Sequence, residues 1–361
     1  MTLVLFFFLF FILNYSIWSY DVKLIDSYEL LQKDIILQGV SHIVVTEDEI
    51  VIVSDGRAGD LKFYDNRGNL IKTFGRRGYG PDEFINPKVF DYVDSKLIIN
   101  DWGRQKVYIY ERTGPADFQK SREMFGFFVD IKMMKSRLLI SGSKVNPNGI
   151  WFNLFIQDPE GKDIKFLLTE EDMLGQPPSR RPDIASNKMK ELLQVGGRFY
   201  CDFLGNYVYS IWQGDLSIIK TNVKSLEISR FGVKTDNYTT PKATESLAKT
   251  RREQNLKNYY KELEKMSMVR KIFVTEKFVG VIYMNYDEEL SMWKPFLQLY
   301  SHEGKLLIER LLLGAFYIHY LMGFYYDKNK NILYALSQTM DDEFDTFYKI
   351  YKYKLDLIFE V

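Results

Sequence analysis

The stretch Phe63-Tyr64-Asp65-Asn66-Arg67-Gly68 runs from an aromatic strand into a polar turn that ends in glycine, and the same pattern recurs along the chain. Its later copies end at Gly114, Gly161 and Gly304. The first two spacings, from 68 to 114 and from 114 to 161, are 46 and 47 residues. A period of about 40–50 residues with about four short strands per unit is typical of a β-propeller blade. The pattern therefore predicts an all-β propeller.

Six units of this kind fit along the chain, and their predicted bounds are 35–75, 80–124, 127–168, 198–233, 270–313 and 320–361. The last unit has no clear fourth strand, whereas residues 20–28 form a strand with no blade of its own. A closed ring leaves no exposed strand edge. We therefore expect residues 20–28 to complete the sixth blade, so that residues 20–361 form one six-bladed β-propeller.

Two segments interrupt the repeat, at residues 169–195 and 234–269. The second is rich in Glu, Lys, Leu and Gln from Ala243 to Met266, and Thr240 before it has the residue type of a helix N-cap. This composition predicts a long helix. Because both segments connect one blade to the next, we expect helical insertions on one face of the propeller.

The composition limits the classes of partner. Lys and Arg together number 48, as do Asp and Glu, so the formal net charge of the 361 residues is zero. Proteins that bind nucleic acid need an excess of positive charge to neutralise phosphates. We therefore expect no nucleic-acid partner, and the RNA-binding alternative is not favoured.

Cysteine and histidine are scarce. Cys201 is the only cysteine, which excludes an intramolecular disulfide and a zinc site built on several cysteines. Its strand-like surroundings predict a small buried hydrophobic side chain. Of the three histidines, His302 is expected in a turn, and His42 and His319 near inner strands. A three-histidine metal site is therefore not expected.

The N-terminal residues differ from the rest. Leu3 to Leu13 is an unbroken apolar run, as long as the core of a signal peptide and too short to span a bilayer as a helix. No Lys or Arg precedes it, and Ser19–Tyr20 is the favoured cleavage site. We expect residues 1–19 to be a signal peptide, or else an uncleaved N-terminal anchor. The protein is then exported to the periplasm or the extracellular space, and contacts a membrane only through this segment.

A loop between the first two blades resembles a known family. It reads Phe74-Gly75-Arg76-Arg77-Gly78-Tyr79-Gly80-Pro81-Asp82-Glu83-Phe84-Ile85-Asn86-Pro87. This is similar to the inter-blade loop of NHL-repeat propellers, Gly-x-x-Gly-x-Gly-Pro-Gly-x-Phe-x-x-Pro, with Asp82 in place of a usual glycine. Val51–Asp55 and Leu97–Asp101 resemble the strand-and-aspartate element of the same family. The match covers residues 35–124 and implies the six-bladed, NHL-like propellers of exported bacterial proteins.

These motif residues have structural explanations. Gly75, Gly78 and Gly80 allow a tight crossing between blades. Phe84 is expected to plug the space between two blades. Asp55 and Asp101, at matching places after the second strand of a blade, are expected to accept backbone N–H groups.

The sequence shows no nucleophile elbow, phosphate loop or Cys/His pair, so we predict no catalytic residue and no cofactor. Some six-bladed propellers are lactonases that hold a divalent metal in the central channel. Oxygen ligands suited to such an ion are available here, and four fall near inner strands: Asp91, Asp130, Asp202 and Asp327. A metal-dependent hydrolase or lactonase-like enzyme is therefore the alternative function.

A binding function is the main expectation. In a propeller, the loops between the second and third strands and the connections between blades share one face, which also receives both insertions. The candidate binding residues on that face are Arg57, Arg76, Arg77, Trp102 and Arg104. Long loops on one rim are typical of ligand or partner surfaces. We predict a non-enzymatic, monomeric module that binds a protein, peptide or glycan, with a solvated charged rim as the alternative.

Overall fold

The computed structural model describes residues 18–31, 37–126, 128–148, 151–158, 160–162, 164–169, 172, 198–240, 256–314, 323–340 and 346–359. Most of the predicted signal segment, residues 1–17, lies outside this set, as does His319. The described strands form six antiparallel sheets of four strands each, and the first strands of successive sheets contact one another around a central channel. The predicted six-bladed all-β propeller is confirmed.

Blades one to three follow the chain order. Blade one contains β2 Val40–Val45, β3 Val51–Asp55, β4 Asp60–Tyr64 and β5 Leu70–Phe74. Blade two contains β6 Pro87–Val93, β7 Lys96–Asp101, β8 Lys106–Gly114 and β9 Asp117–Phe125. Blade three contains β10 Phe128–Met134, β11 Arg137–Val145, β12 Trp151–Gln157 and β13 Ile164–Thr169.

Blades four to six complete the ring. Blade four contains β14 Phe199–Leu204, β15 Tyr207–Trp212, β16 Ile218–Asn222 and β17 Ile228–Phe231. Blade five contains β18 Met268–Val274, β19 Val279–Asp287, β20 Met292–Tyr300 and β21 Leu306–Leu311. Blade six contains β22 Phe324–Asp327, β23 Ile332–Met340, β24 Thr346–Phe359 and, from the other end of the chain, β1 Trp18–Glu29.

The N-terminal strand closes the ring. β1 pairs antiparallel with β24, from Trp18 opposite Phe359 to Glu29 opposite Lys349. The sheet order of blade six is therefore β22, β23, β24 and β1. This arrangement covers the edge that β24 would otherwise expose. It also joins the two ends of the described chain in one sheet.

The antiparallel order of each blade defines two ends of the channel. Connections between blades and loops between second and third strands lie at one end, which we call the connection end. Turns between first and second strands and between third and fourth strands lie at the other, which we call the hairpin end. The repeated polar turn that predicts the fold lies at the hairpin end. In blade one, Asp65 accepts the backbone N–H groups of Arg67 and Asn69, and Gly68 has φ +84°, a left-handed conformation that favours glycine.

The connection between blades one and two is fixed by the residues expected from its motif. Phe84 is almost fully buried, and its ring packs against Phe74 of blade one and Tyr108 of blade two. Gly75 has φ +85°, and a Cβ atom there would lie 2.6 Å from the Phe84 ring. Asp101 accepts the N–H groups of the incoming connection at Ile85 and Asn86, 2.9 and 2.8 Å away.

Asp55 makes the corresponding contacts in blade one. Its carboxylate accepts the backbone N–H groups of Gln38 at 2.7 Å and Gly39 at 2.9 Å, just before β2. It also accepts those of Arg57 and Ala58 in the following loop. Each aspartate therefore joins the connection that enters its blade to the loop after the second strand of that blade. This confirms the capping role predicted for both.

The expected helical insertions on one face are not supported. One helix is present among the described residues, α1 Leu256–Leu263, and residues 173–197 and 241–255 lie outside them. The predicted helix extends to Met266, but the chain turns after Leu263 because the Met266 N–H bonds back to the Leu263 carbonyl. Leu263 and Met266 are buried in the core, so this end of the segment packs into the ring. No described helix is long and apolar enough to cross a membrane.

Candidate binding sites at the two ends of the channel

A cavity of about 410 Å³ opens at the hairpin end of the channel. Its wall comes from the last residues of the inner strands and from the turns that follow them. It includes five carboxylates and three lysines: Glu47, Asp91, Asp94, Asp202, Asp327, Lys132, Lys271 and Lys328. The volume falls in the usual range of small-molecule sites. Three of the four carboxylates singled out from the sequence thus meet in one cavity.

Three aspartates of the channel link each blade to the next. The Asp91 carboxylate accepts the Met133 N–H at 3.0 Å, and Asp130 accepts the Cys201 N–H at 3.0 Å. Asp202 accepts the Val274 N–H at 2.7 Å. Blades two to five are therefore joined in sequence through carboxylates, each of which satisfies a buried backbone donor.

Two of the cavity lysines neutralise these aspartates. Lys132 Nζ lies 3.5 Å from Asp91, and Lys328 Nζ lies 2.9 Å from Asp202. Burial by itself would lower the pKa of Lys132, but Asp91, Asp130 and Asp202 outweigh it, and the pKa lies above the ordinary lysine value. Burial raises the pKa of Asp130, with Lys132 opposing the shift.

Lys271 differs from the other two lysines. Among the described residues, no carboxylate lies within ion-pair distance of its ammonium group. Burial and the nearby Lys132 lower its pKa to about 8, against the opposing effect of the channel aspartates. Lys271 borders both the large cavity and a smaller one of about 40 Å³ deeper in the channel. It therefore forms the floor of the large cavity.

The carboxylates do not form a metal site. No group of three or more His, Cys, Asp or Glu side chains with metal-binding geometry occurs in the described part of the chain. Asp91 and Asp202 already bind a lysine and a backbone N–H each, and Asp327 accepts the N–H groups of Asn329 and Lys330 in its own turn. A divalent ion would have to displace these partners, so the donor set does not fit the metal of the alternative hydrolase.

The connection end of the channel carries a cluster of positive charge. Lys88 Nζ lies 3.4 Å from the centre of the Trp102 ring, and the Arg198 guanidinium lies 5.5 Å from it. Arg270, in the third position of β18, donates a hydrogen bond to the Tyr200 hydroxyl at 3.1 Å. We call Lys88, Trp102, Arg198 and Arg270 the cationic mouth.

Two charges of the cationic mouth, those of Lys88 and Arg198, have no acidic partner among the described residues. Lys88 is only 8% exposed. Burial, then Arg198 and Arg270, lower the pKa of Lys88 to about 7. Burial and these same cations hold the pKa of His42 well below its ordinary value. The mouth is therefore suited to an anion, which would relieve the repulsion between its cations.

The predicted binding residues separate into two groups. Trp102 belongs to the cationic mouth. Arg104 instead donates to the carbonyls of Tyr79 and Glu83, and so holds the connection between blades one and two. Arg76, 81% exposed, pairs with Glu83, and Arg77 donates to the carbonyl of Arg57. Arg57, Arg76, Arg77 and Arg104 all lie at the connection end, but their described contacts are with one another's loops at this end of blades one and two.

The sequence did not single out Lys88, Arg198 and Arg270, or the three cavity lysines. Each lies in or next to the first strand of a blade, where alternate side chains point towards the channel. A positive charge at the start of an otherwise apolar inner strand is the signal that could have identified the mouth. Cys201 is buried, as predicted, and His302 bridges blades four and five through Tyr209 and the Thr275 carbonyl.

Comparison with known proteins identifies a family and several solved structures with a similar fold. A family model described as a 6-bladed beta-propeller (DUF5128) matches residues 31–309. A member of the DUF4221 family from Bacteroides vulgatus is 12% identical with a TM-score of 0.60, covering 94% of this chain and 99% of that chain. A suspected exported protein from Bacteroides fragilis is 15% identical with a TM-score of 0.55, covering 91% and 94%.

Streptogramin B lyase is a more remote structural match, with 12% identity, a TM-score of 0.44 and coverage of 94% and 98%. Likeness at this level carries no functional argument, and the two stronger matches show the fold alone. No curated protein of known function matches the sequence.

Proposed function

The chain belongs to this family of six-bladed β-propellers, and we propose that it is a non-enzymatic binding module whose ligand is a protein, peptide or glycan with an anionic group. The ligand lies across the connection end of the channel. Its anionic group occupies the cationic mouth, beside Lys88 and Arg198. The observation that supports this proposal is the buried ammonium of Lys88, which has no acidic partner among the described residues.

The energetics favour an external anion. A charge taken out of water is costly unless it is paired. Lys88 is largely buried, and the neighbouring groups at the mouth, Arg198 and Arg270, add repulsion. The Trp102 ring offsets part of this cost through its contact with the ammonium. A carboxylate or sulfate group on a ligand would offset more, and would gain charge-assisted hydrogen bonds.

The rim around the mouth provides the wider binding surface. Arg76 and Tyr79 are both highly exposed on the connection between blades one and two. Arg104 donates hydrogen bonds to backbone carbonyls of this connection and so fixes its conformation. The exposed side chains are therefore held by an ordered backbone. We propose that Arg57, Arg76, Arg77 and Arg104 act as this rim, and that Trp102 is the central residue.

We also propose that the protein is exported and monomeric. The apolar run from Leu3 to Leu13, and the shared fold of a suspected exported protein from Bacteroides fragilis, support export. N-terminal sequencing of the protein from the native host tests the cleavage site, with Tyr20 expected as the first residue. Retention of residues 1–19 would favour the anchor instead. Light scattering during size-exclusion chromatography tests the monomer.

The first experiment asks whether the mouth binds an anion. Thermal unfolding is measured in sodium sulfate and in sodium chloride at equal ionic strength. Bound sulfate stabilises the folded state according to its concentration relative to Kd. Because sulfate also stabilises proteins non-specifically, the informative quantity is the loss of the increment in Lys88→Gln and Arg198→Gln. Lys224→Gln, in an exposed turn of blade four, serves as the control.

The second experiment concerns the partner. Protein carrying an affinity tag is incubated with the native envelope fraction, and captured material is compared between the native chain and an Arg76→Glu, Arg77→Glu variant. We expect capture to be lost in the variant. Unchanged capture contradicts the assignment of the connection end, and an equal sulfate increment in Lys88→Gln contradicts the cationic mouth.

A further inference from the structure

The cavity at the hairpin end is distinct from the cationic mouth, and its chemistry is different. It is bordered by turns and strand ends on the opposite side of the ring, and its wall includes the rings of Phe203, Phe273, Tyr325 and Tyr326. The Phe273 and Tyr326 rings stack at 4.3 Å across blades five and six. Phe273 and Tyr326 are nearly buried in this stack, so the aromatic side chains give the side walls an apolar character over a limited area.

The floor of the cavity presents a cation, Lys271, for which the described residues supply no ion pair. Lys132 and Lys328 are each in an ion pair, with Asp91 and Asp202 respectively. Lys271 has no such partner among the described residues, although it lies in the cavity wall. A carboxylate on a ligand would pair with Lys271, as the carboxylates of Asp91 and Asp202 pair with Lys132 and Lys328.

The rim of the cavity carries carboxylates that can accept hydrogen bonds. Asp327, at the end of β22, uses one carboxylate oxygen to cap its own turn, and no described donor bonds to the other oxygen. Asp94 lies in the exposed turn between β6 and β7 and also borders the cavity. Glu47, another rim residue, accepts the Tyr92 hydroxyl. The rim therefore favours a cationic or hydrogen-bond-donating group.

We propose that this cavity binds a small amphoteric ligand, with its carboxylate on Lys271 at the floor, its amine at Asp327 and Asp94 on the rim, and an apolar body between the aromatic walls. Compounds of the amino-acid class have this chemistry. The site does not depend on the cationic mouth, so the two proposals can fail separately.

The test uses three matched probes of one size: 4-(aminomethyl)benzoate, which carries both charges, 4-methylbenzoate, which carries the carboxylate, and 4-methylbenzylamine, which carries the amine. Isothermal titration calorimetry at pH 7 measures their affinities for the full chain. We expect the amphoteric probe to bind at least about tenfold more tightly than either singly charged probe, since each charged contact contributes on the order of 1 kcal/mol or more.

Variants assign the contacts. Lys271→Gln should reduce the affinity for the amphoteric probe to that of the amine, and Asp327→Asn should reduce it towards that of the carboxylate. Lys271→Arg, which keeps the charge, should retain most of the binding and shows that a loss in Lys271→Gln is not caused by misfolding. Lys305→Gln, in an exposed hairpin of the same blade, is the matched control.

Three results would overturn the proposal. The first is an absence of saturable heat with the amphoteric probe at millimolar concentration. The second is equal affinity for all three probes, and the third is an affinity unchanged by Lys271→Gln in a variant that melts like the native chain.

Discussion

The two ends of the channel are built from the same six inner strands, yet they treat charge differently. At the hairpin end, Lys132 and Lys328 are paired with aspartates of the channel. At the connection end, Lys88 and Arg198 lie against the Trp102 ring with no acidic partner among the described residues. Within the described part of the chain, the lysines Lys132 and Lys328 at one end are paired by the protein itself, whereas Lys88 and Arg198 at the other are not.

The difference follows from position along the inner strand. Aspartates at the later positions accept a backbone N–H of the next blade, and their lysine partners compensate for the buried carboxylates. In blades one and two the connection is fastened instead by Asp55 and Asp101, outside the inner strand. The charge of Lys88, near the start of the inner strand of blade two, makes no such link.

The largest effect is expected from removal of β1, because both ends of the channel depend on the closed ring. A chain that begins at residue 30 lacks β1, so β24 becomes an open edge and the sixth sheet loses its outer strand. We expect this chain to lose cooperative unfolding in urea, whereas a chain that begins at residue 18 keeps it. Equal midpoints for the two chains would show that the ring does not need this strand.

The next effect separates structural charge from ligand-binding charge. Asp202→Ala leaves the Val274 N–H and Lys328 without their acceptor, and we expect a loss of about 3 kcal/mol in the free energy of unfolding. Arg198→Gln removes a charge of the cationic mouth and should leave stability nearly unchanged. Asp356→Ala, at an exposed position of β24, is the control in chemical denaturation. Similar losses for Asp202→Ala and Arg198→Gln would remove the distinction between the two ends.

The pH dependence of stability distinguishes the two ends more finely. The pKa of Lys88 is about 7 and that of Lys271 about 8 in the folded protein, against 10.5 ordinarily. The unfolded chain therefore binds more protons above these values, and stability rises with pH, by up to about 1 kcal/mol per pH unit for each group. The free energy of unfolding of the native chain minus that of Lys88→Met should rise with pH from about pH 7. The same difference for Lys271→Met should rise from about pH 8. Urea unfolding between pH 6 and 9 measures both, and a profile for either variant that parallels the native one would contradict the lowered pKa of that lysine.

The smallest effects are expected on the rim. Arg104→Gln removes bonds to the Tyr79 and Glu83 carbonyls and should cost about 1 kcal/mol. Arg76→Gln removes an exposed ion pair, so the unfolding midpoint should not change. Differential scanning calorimetry checks both, and a larger loss in Arg76→Gln than in Arg104→Gln would reverse the roles given to these residues.

Local patterns explain what could be predicted from the sequence. The spacing of Gly68 and Gly114, and the strands between them, follow from turn chemistry and alternation, which act within a few residues. The same holds for Phe84, Asp55 and Asp101 in the connection motif. The predicted long helix was less reliable, because Leu263 and Met266 are held by the core and not by helix propensity.

The candidate sites could be predicted only in part. The sequence singled out Asp91, Asp202 and Asp327 as channel carboxylates, but it suggested a metal, because their lysine partners come from other blades. The pairing of Lys328 with Asp202 spans 126 positions in the chain. The arginines of the rim lie at the connection end, where Arg77 and Arg104 hold neighbouring loops together, and their binding role stays a prediction.

By itself, the sequence determined the number of blades, the turns at their ends and the residues that fix the connection between blades one and two, because each depends on a local pattern. Only the tertiary structure decided that Lys88, Arg198 and Arg270 meet at one mouth and that Lys271, with no ion pair among the described residues, lies at the floor of a cavity. Such meetings depend on the closure of six sheets around one axis. Ring closure brings together side chains from separate repeats, and no single repeat contains the information that sets their distances.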